Sequence, residues 1–366
     1  MSYLLKNIYS PEFFGNLDPI FKATIPGYQV KKFNQLVCDK NWAEKELKDR
    51  MRHIATVLHH FLPHDFLAAA PVLSATIKEL QKSTLSKASL QCMFLADYIE
   101  RFGIDHFAAA SALFEQLTPF SSCEFAVRPF ILKYDTAMID TMKSWSIHKN
   151  HHVRRLASEG SRPRLPWAMA LPHLKKDPTP VLPILENLKK DPSEYVRKSV
   201  ANHLNDITKD NPDTVLAIVK SWKGISKETD AIIKHGCRNL LKQGHPEILK
   251  FYGLNTKALV INDCSVLTKQ VKVGEDLAFS FSVINSGKIA QYTRLEYAIY
   301  YLRQNGLYGK KVFKISEKLL VAGESLKVNK RQSFRLITTR KFYPGKQFVA
   351  VIVNGKESEK LPFRLK

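Results

Sequence analysis

The sequence predicts a mainly α protein: a HEAT-like solenoid of antiparallel helical repeats followed by a small all-β, immunoglobulin-like sandwich. Three observations predict it. Up to about Leu254 the chain reads as helix after helix, with apolar residues three and four apart and short connections. One helix face recurs at offsets of 37 and 43 residues, the spacing of two-helix units that stack into a solenoid. Beyond Leu254 the period shortens to alternation, with turn residues between short runs. The boundaries that follow are a helical-repeat domain over residues 1–254 and a basic β-sandwich over residues 257–366.

In the helical part, residues 64–80, 87–102 and 105–117 each carry one apolar stripe. Asp177-Pro178, Asp191-Pro192 and Asn211-Pro212 read as helix starts: proline lacks only an N–H that has no partner in the first turn, and Asp or Asn supplies the cap. Residues 196–204 align with 233–241 and, backwards, with 153–161. Each aligned segment opens with an aliphatic–basic pair: Val153-Arg154, Val196-Arg197 and Ile233-Lys234. In register these cations would line one concave face suited to a duplex backbone; the alternative is ordinary solvated helix ends. Trp145 and Trp222 open equivalent stretches of two repeats and are expected in the core.

In the C-terminal part, residues 277–284 alternate large apolar and smaller side chains before the Asn285-Ser286-Gly287 turn. Residues 294–302, 311–315, 325–336 and 347–353 continue as candidate strands. Gly274-Glu275, Ala322-Gly323-Glu324, Tyr343-Pro344-Gly345 and Asn354-Gly355 supply turns. About seven short strands in roughly 110 residues suggest the immunoglobulin-like sandwich.

Charge narrows the partner. With 56 Lys and Arg against 34 Asp and Glu, the net charge is +22, which favours a polyanion: nucleic acid first, an anionic membrane surface second. From Lys257 to Lys366 there are 21 basic and 8 acidic residues, a balance of +13, so the sandwich reads as a second DNA-contacting surface. No run of about 18 apolar residues suggests a membrane span, and Met1 to Tyr9 lacks the charged-then-apolar layout of a signal peptide. The five cysteines are scattered and unpaired in sequence, which points to a reducing cytoplasm and no cysteine-based zinc site. His59, His60 and His64 lack a carboxylate or cysteine at ligand spacing and read as a helix end.

The segment that carries chemistry runs from His151 to Trp167: His-His-Val-Arg-Arg-Leu-Ala-Ser-Glu-Gly-Ser-Arg-Pro-Arg-Leu-Pro-Trp. On a helix, Val153, Leu156, Ala157 and Gly160 share the buried face. Arg155, Glu159 and Arg162 then share the opposite one. Pro163 and Pro166 stop the helix and leave Trp167 in a rigid connection beside it. Glu159 stands where the aligned repeats have Asn202 and Asn239, so a carboxylate departs from the chain's own pattern there. The spacing alone leaves two readings open: a functional carboxylate, or a pair of helical ion pairs worth only tenths of a kcal/mol.

This run, with its Arg-Pro-Arg-Leu-Pro-Trp tail, closely resembles the AlkC branch of the AlkC/AlkD-like DNA glycosylases. Asn7-Ile8-Tyr9-Ser10-Pro11-Glu12-Phe13-Phe14 and Phe125-Ala126-Val127-Arg128-Pro129-Phe130 look like the same branch. The resemblance covers roughly residues 1–250; the sandwich is similar to one that some AlkC-type members carry, with a weaker match.

The resemblance implies excision of cationic alkylated bases from double-stranded DNA: 3-methyladenine, and in this branch 3-methylcytosine and 1-methyladenine. Such a base is already a charged leaving group, so what remains is to stabilise an oxocarbenium-like sugar and place a water on it. Glu159 is the candidate carboxylate, and Trp167 offers an indole face to the cation. Arg155 and Arg162 would hold the carboxylate or grip phosphates, and Arg154 and Arg164 are further candidate DNA contacts. The resemblance places Glu124 near the lesion as a second catalytic carboxylate, although Ser121-Ser122-Cys123-Glu124 also has the layout of a capping box. The family is unusual in attacking the nucleotide without flipping it. No lysine stands out as a Schiff-base nucleophile, so simple hydrolysis to an abasic site is expected, with no metal or organic cofactor. The expected protein is a monomer acting in a bacterial-type cytoplasm on nucleoid DNA, with no membrane and no obligate protein partner. The rival is a non-catalytic HEAT-repeat adaptor that binds DNA or an acidic protein.

Overall fold

The computed structural model describes residues 4–337 and 340–366; of the N-terminal segment read above, Met1 to Tyr3 lie outside the described residues. Sixteen α-helices precede nine strands among the described residues. Contacts group the chain into two compact units, Met1–Gly236 and Cys237–Lys366. Helix gives way to strand where the pattern predicts, between Phe251 and Leu259, and the last two helices, Arg238–Gln243 and Pro246–Phe251, group with the strands.

In the first unit, helix Phe66–Lys82 is capped by Asp65, whose carboxylate accepts from the Leu67 and Ala68 amides, and helix Phe107–Leu117 ends where predicted. The helix predicted from Lys87 begins only at Met93, because Thr84–Lys87 winds as a 3-10 turn and the chain turns again before Cys92. The proline pairs mark connections more than caps. Pro212 does start helix Pro212–Trp222, but the Asn211 amide donates to Lys175 O at 2.7 Å instead of capping. Asp177 accepts from Thr179 N (3.0 Å) at a 3-10 turn. Asp191 accepts from Ser193 N (2.8 Å), ahead of a helix that begins at Glu194.

The aligned repeats are real neighbours: helix Glu194–Ile207 packs against both His151–Gly160 and Lys227–Gly236. Val153, Val196 and Ile233 are fully buried in it. The predicted register needs correcting at one of them. Val153-Arg154 and Val196-Arg197 sit in the first turn of their helices, whereas Ile233-Lys234 comes near the end of its own. Arg154 and Arg197 also fold back in the same way. Arg154 Nη1 donates to His148 O and Lys149 O (2.9 and 3.0 Å); Arg197 Nη1 donates to Asp191 O and Pro192 O (2.8 and 2.7 Å). These guanidiniums close the turn that leads into each helix. Trp145 and Trp222 are core residues, as expected, but they end their helices instead of opening them. Their indole N–H groups donate to Glu115 (2.9 Å) and Glu186 (2.8 Å), a repeated device that satisfies a buried donor.

In the second unit, β1 (Leu259–Val266), β3 (Asp276–Asn285) and β6 (Ser325–Ser333) form a three-stranded sheet. A second sheet runs β2 (Gln270–Val271), β9 (Leu361–Leu365), β7 (Gly345–Val353), β4 (Gln291–Leu302), β5 (Tyr308–Leu320), with β8 (Lys356–Glu357) on β7. The alternation read in the sequence is the core: Leu277, Phe279, Phe281 and Val283 of β3 meet Leu295, Tyr297 and Ile299 of β4. β1, β2, β8 and β9 lie outside the candidate strands. The Asn354-Gly355 turn has both residues at positive φ (48° and 81°), as a tight hairpin needs. Glycine is required at 355 for a second reason, since an added Cβ would lie 2.7 Å from Leu249 Cδ1 and 3.1 Å from Gly244 Cα. Among the described residues no helix is long and apolar enough to cross a membrane.

Candidate active site

Helix His151–Gly160 starts at Asn150, whose Oδ1 accepts from His152 N at 2.8 Å. Val153, Leu156, Ala157 and Gly160 are buried as predicted. Gly160 is demanded by packing: a Cβ there would lie 2.6 Å from Val127 Cγ2. The helix ends at this glycine, so Arg162 lies in the following turn and not on the helix itself.

The opposite face is an ionic seam, largely closed to solvent. Glu159 is 6% exposed and Arg162 likewise. Arg162 Nη1 donates to Glu159 Oε1 (2.5 Å) while its Nε donates to Asp206 Oδ2 (2.8 Å). Arg155 Nη2 lies 3.6 Å from Glu159 Oε1, and Arg155 Nη1 donates to Glu124 Oε2 and to Ser122 Oγ (3.0 Å). One guanidinium therefore joins both candidate carboxylates. Beneath the seam, His203 Nδ1 donates to Ser158 O at 2.9 Å; burial first, then the Arg162 charge, pushes its pKa down to about 3.

The capping box read at Ser121 does not form. Helix Val127–Tyr134 starts too late and its first turn has no side-chain cap. Ser121 Oγ donates instead to Ser89 O (2.6 Å), and Ser122, not Ser121, donates to Glu124 (2.8 Å). Glu124 is thereby turned to a cavity of about 280 Å³ that Arg155 and Trp167 also line. Trp167 takes a positive φ of 64° after Pro166 and exposes 70% of its surface. Its carbonyl accepts from Lys48 Nζ, and that ammonium sits 4.6 Å over the Phe125 ring.

The structure thus gathers Glu124, Arg155 and Trp167 on one cavity, with Glu159 and Arg162 directly behind Arg155. Arg154 and Arg164 stand apart. Arg154 forms a two-point pair with Asp191 (2.5 and 3.0 Å), and Arg164 does the same with Asp210 (2.8 and 2.6 Å). Sequence reasoning missed Lys48 and Tyr195, which line the same cavity. Tyr195 has the Arg155 guanidinium 4.9 Å from its ring; its signal was its place just before Val196 in the aligned repeat. Lys48 had no local signal, because its partner lies 119 residues away. Among the described residues no cluster of three or more metal-ligating side chains occurs, and His59 stacks on Phe102 at 3.8 Å. Two carboxylates braced by one arginine, beside an exposed indole, can stabilise a cation and orient a water.

Comparison with known proteins bears on this geometry. Residues 97–240 match the family described as "DNA alkylation repair enzyme", and residues 260–366 match "Uncharacterised protein YhaZ, C-terminal Ig-like domain". The chain is 40% identical over 362 residues to the uncharacterized protein YhaZ of Bacillus subtilis (strain 168), with 99% of each covered. It is also similar to the solved alkylpurine DNA glycosylase AlkC of Pseudomonas fluorescens, bound to DNA containing an abasic site analog. That match has 36% identity, a TM-score of 0.92 and 100% of both chains covered.

Proposed function

The chain belongs to the DNA alkylation repair enzyme family, and on that premise we propose that it is a DNA glycosylase hydrolysing the N-glycosidic bond of cationic alkylated bases. The proposed substrates are duplex DNA carrying 3-methyladenine, and also 3-methylcytosine and 1-methyladenine; the product is an abasic site that enters base excision repair. The observation that carries this reading is the Glu124–Arg155–Glu159 bridge beside Trp167.

A methylated ring nitrogen already gives the leaving base its positive charge, so no acid is needed to expel it. As the bond lengthens, positive charge moves to the sugar. Glu159, held by Arg162 and Arg155, supplies fixed negative charge for that oxocarbenium-like centre and accepts a proton from the attacking water. Glu124 faces the cavity from the other side of Arg155 as the second carboxylate. The Trp167 indole is the aromatic face for the cation. Arg155 and Arg162 act as clamps on carboxylates; Arg154 and Arg164, each already paired with an aspartate, hold turns first and reach phosphate second. No metal or organic cofactor enters this scheme. The sandwich, through its surplus of lysine and arginine, is a second DNA-contacting surface. A monomer suffices, and a DNA substrate places its work at the nucleoid.

The test is base release from methylated duplex DNA by the native protein and by Glu159→Gln. Release of 3-methyladenine that slows by about a hundredfold or more in the variant, roughly 3 kcal/mol of barrier, with duplex binding retained, is the expected result. Duplex binding without any base release by the native protein would favour the DNA-binding adaptor instead.

A further inference from the structure

Arg128 belongs to the Phe125–Phe130 segment singled out in the sequence, yet it touches nothing in the cavity. It is fully buried. Its Nε donates to Met169 O at 2.7 Å, and its Nη1 donates to Gly160 O and to Arg162 O, both at 2.8 Å. Those three carbonyls are not a random set. Gly160 follows Glu159, Arg162 is the partner of Glu159, and Met169 lies two residues beyond Trp167.

Stability alone does not account for this arginine. Among the described residues it makes no ion pair, and its Nη2 has no partner. Asp206, Glu124 and Glu159 offset its charge only at longer range, and burial pushes its pKa down to about 10, which still leaves a cation at neutral pH. A buried guanidinium without a contacting carboxylate is costly, and an apolar residue of similar volume is often the more stable choice. What an apolar residue lacks is the set of charge-assisted bonds to three carbonyls from two sides of the site. A positive φ at a non-glycine residue persists only where the surroundings over-determine it, so the Trp167 loop needs outside holds: Lys48 takes the Trp167 carbonyl, and Arg128 takes that of Met169. Within the loop, Leu171 N donates to Pro163 O (3.1 Å) and Ala168 N to Leu165 O (3.3 Å); neither bond ties it to the Glu159 helix.

We propose that Arg128 is a positioning residue that locks the end of the Glu159 helix, the Arg162 turn and the Trp167 loop into one body, and so sets the carboxylate against the indole. Its catalytic consequence rests on the glycosylase reading; its mechanical part does not. The experiment uses the full chain with Arg128→Met and Arg128→Lys. Two quantities are read: single-turnover base release at saturating enzyme, and time-resolved fluorescence anisotropy of Trp167, taken as the difference from matched Trp167→Phe proteins. In Arg128→Met, release is expected to fall about tenfold or more with duplex affinity within about threefold, while the fast anisotropy component of Trp167 grows. Arg128→Lys is expected to recover little, since one ammonium cannot match the planar fork, and it keeps the buried charge if the Met variant does not fold. A folded variant of either kind with native release and native Trp167 anisotropy overturns the proposal, even if its melting temperature is lower. If the native protein releases no base, the glycosylase reading fails, while the anisotropy still decides whether Arg128 holds the loop.

Discussion

Arg155 donates to Glu124 across 31 residues of sequence, and its other terminal nitrogen lies 3.6 Å from Glu159. A planar guanidinium serves two carboxylates at once; an ammonium is a point charge and serves one well. Arg155→Lys is therefore expected to lower single-turnover base release by about tenfold. Glu124→Gln in the same background should not add its full effect, because the bridge from Glu124 through residue 155 to Glu159 has already been weakened. A double-mutant cycle on the release rate is expected to give a coupling of about 1 kcal/mol or more, as for residues in one ion-pair network. Full additivity would mean that the contact has no part in the chemistry.

Gly160 sets how closely the Glu159 helix approaches its neighbour. Alanine there gains helix propensity worth about 1 kcal/mol, but its Cβ would lie 2.6 Å from Val127 Cγ2 and 3.1 Å from Met142 Cε. Valine is stiff about χ1 and cannot swing aside, so overpacking of about 1–3 kcal/mol opposes that gain. Gly160→Ala should unfold at lower urea and lose activity out of proportion, because Glu159 is the preceding residue. Adding Val127→Ala should restore much of the activity. A single variant as stable and active as the native protein would show that the approach is not tight.

His203 gives a pH signature. Its pKa falls from the usual 6.5 to about 3, through burial and then the charge of Arg162. The unfolded chain therefore takes up a proton below about pH 6.5 that the folded protein refuses. The neutral imidazole's contribution to stability is complete above that pH and is lost as pH falls, by about 1.4 kcal/mol per unit, until about pH 3. His203→Asn keeps a donor toward Ser158 O and removes the titration. The urea stability of native protein minus that of the variant should fall by about 2 kcal/mol between pH 6.5 and 5. Parallel stability curves would mean that His203 is not held neutral.

Where the sequence was informative, the structure follows it for local reasons. Helical period and strand alternation are set within a few residues, so the helix at Glu159 and the core strands β3, β4 and β7 were legible. Arg155, Glu159 and Arg162 could be grouped because they fall within eight residues of chain. β1 was hidden by a bulge between Asn262 and Ser265, with Asp263 at positive φ, which breaks its alternation. β9 was hidden by Pro362, tolerated because the short β2 pairs only opposite Arg364 and Leu365. Glu124 carried a cap-like pattern whose helix starts elsewhere, and Lys48 meets Trp167 only through the fold.

The outer face of β6 offers a direct test of the sandwich as a DNA-contacting surface. Lys327 and Arg331 are both exposed and alternate along the strand on one side. Their cross-strand neighbours on β3 are Ser282 and Ala278, small residues that leave both cations uncovered. Among the described residues neither side chain is in an ion pair, so replacing them removes charge without unpairing a carboxylate there. If each neutralises one phosphate, Lys327→Gln with Arg331→Gln should reduce the slope of log affinity against log salt by about 1.8 for duplex DNA. Affinity should fall equally for damaged and undamaged duplex, since phosphate contacts carry no lesion information, and the rate of base release at saturating enzyme should stay at its native value. An unchanged slope, with the variant folded, would remove this face of the sandwich from the DNA-binding surface.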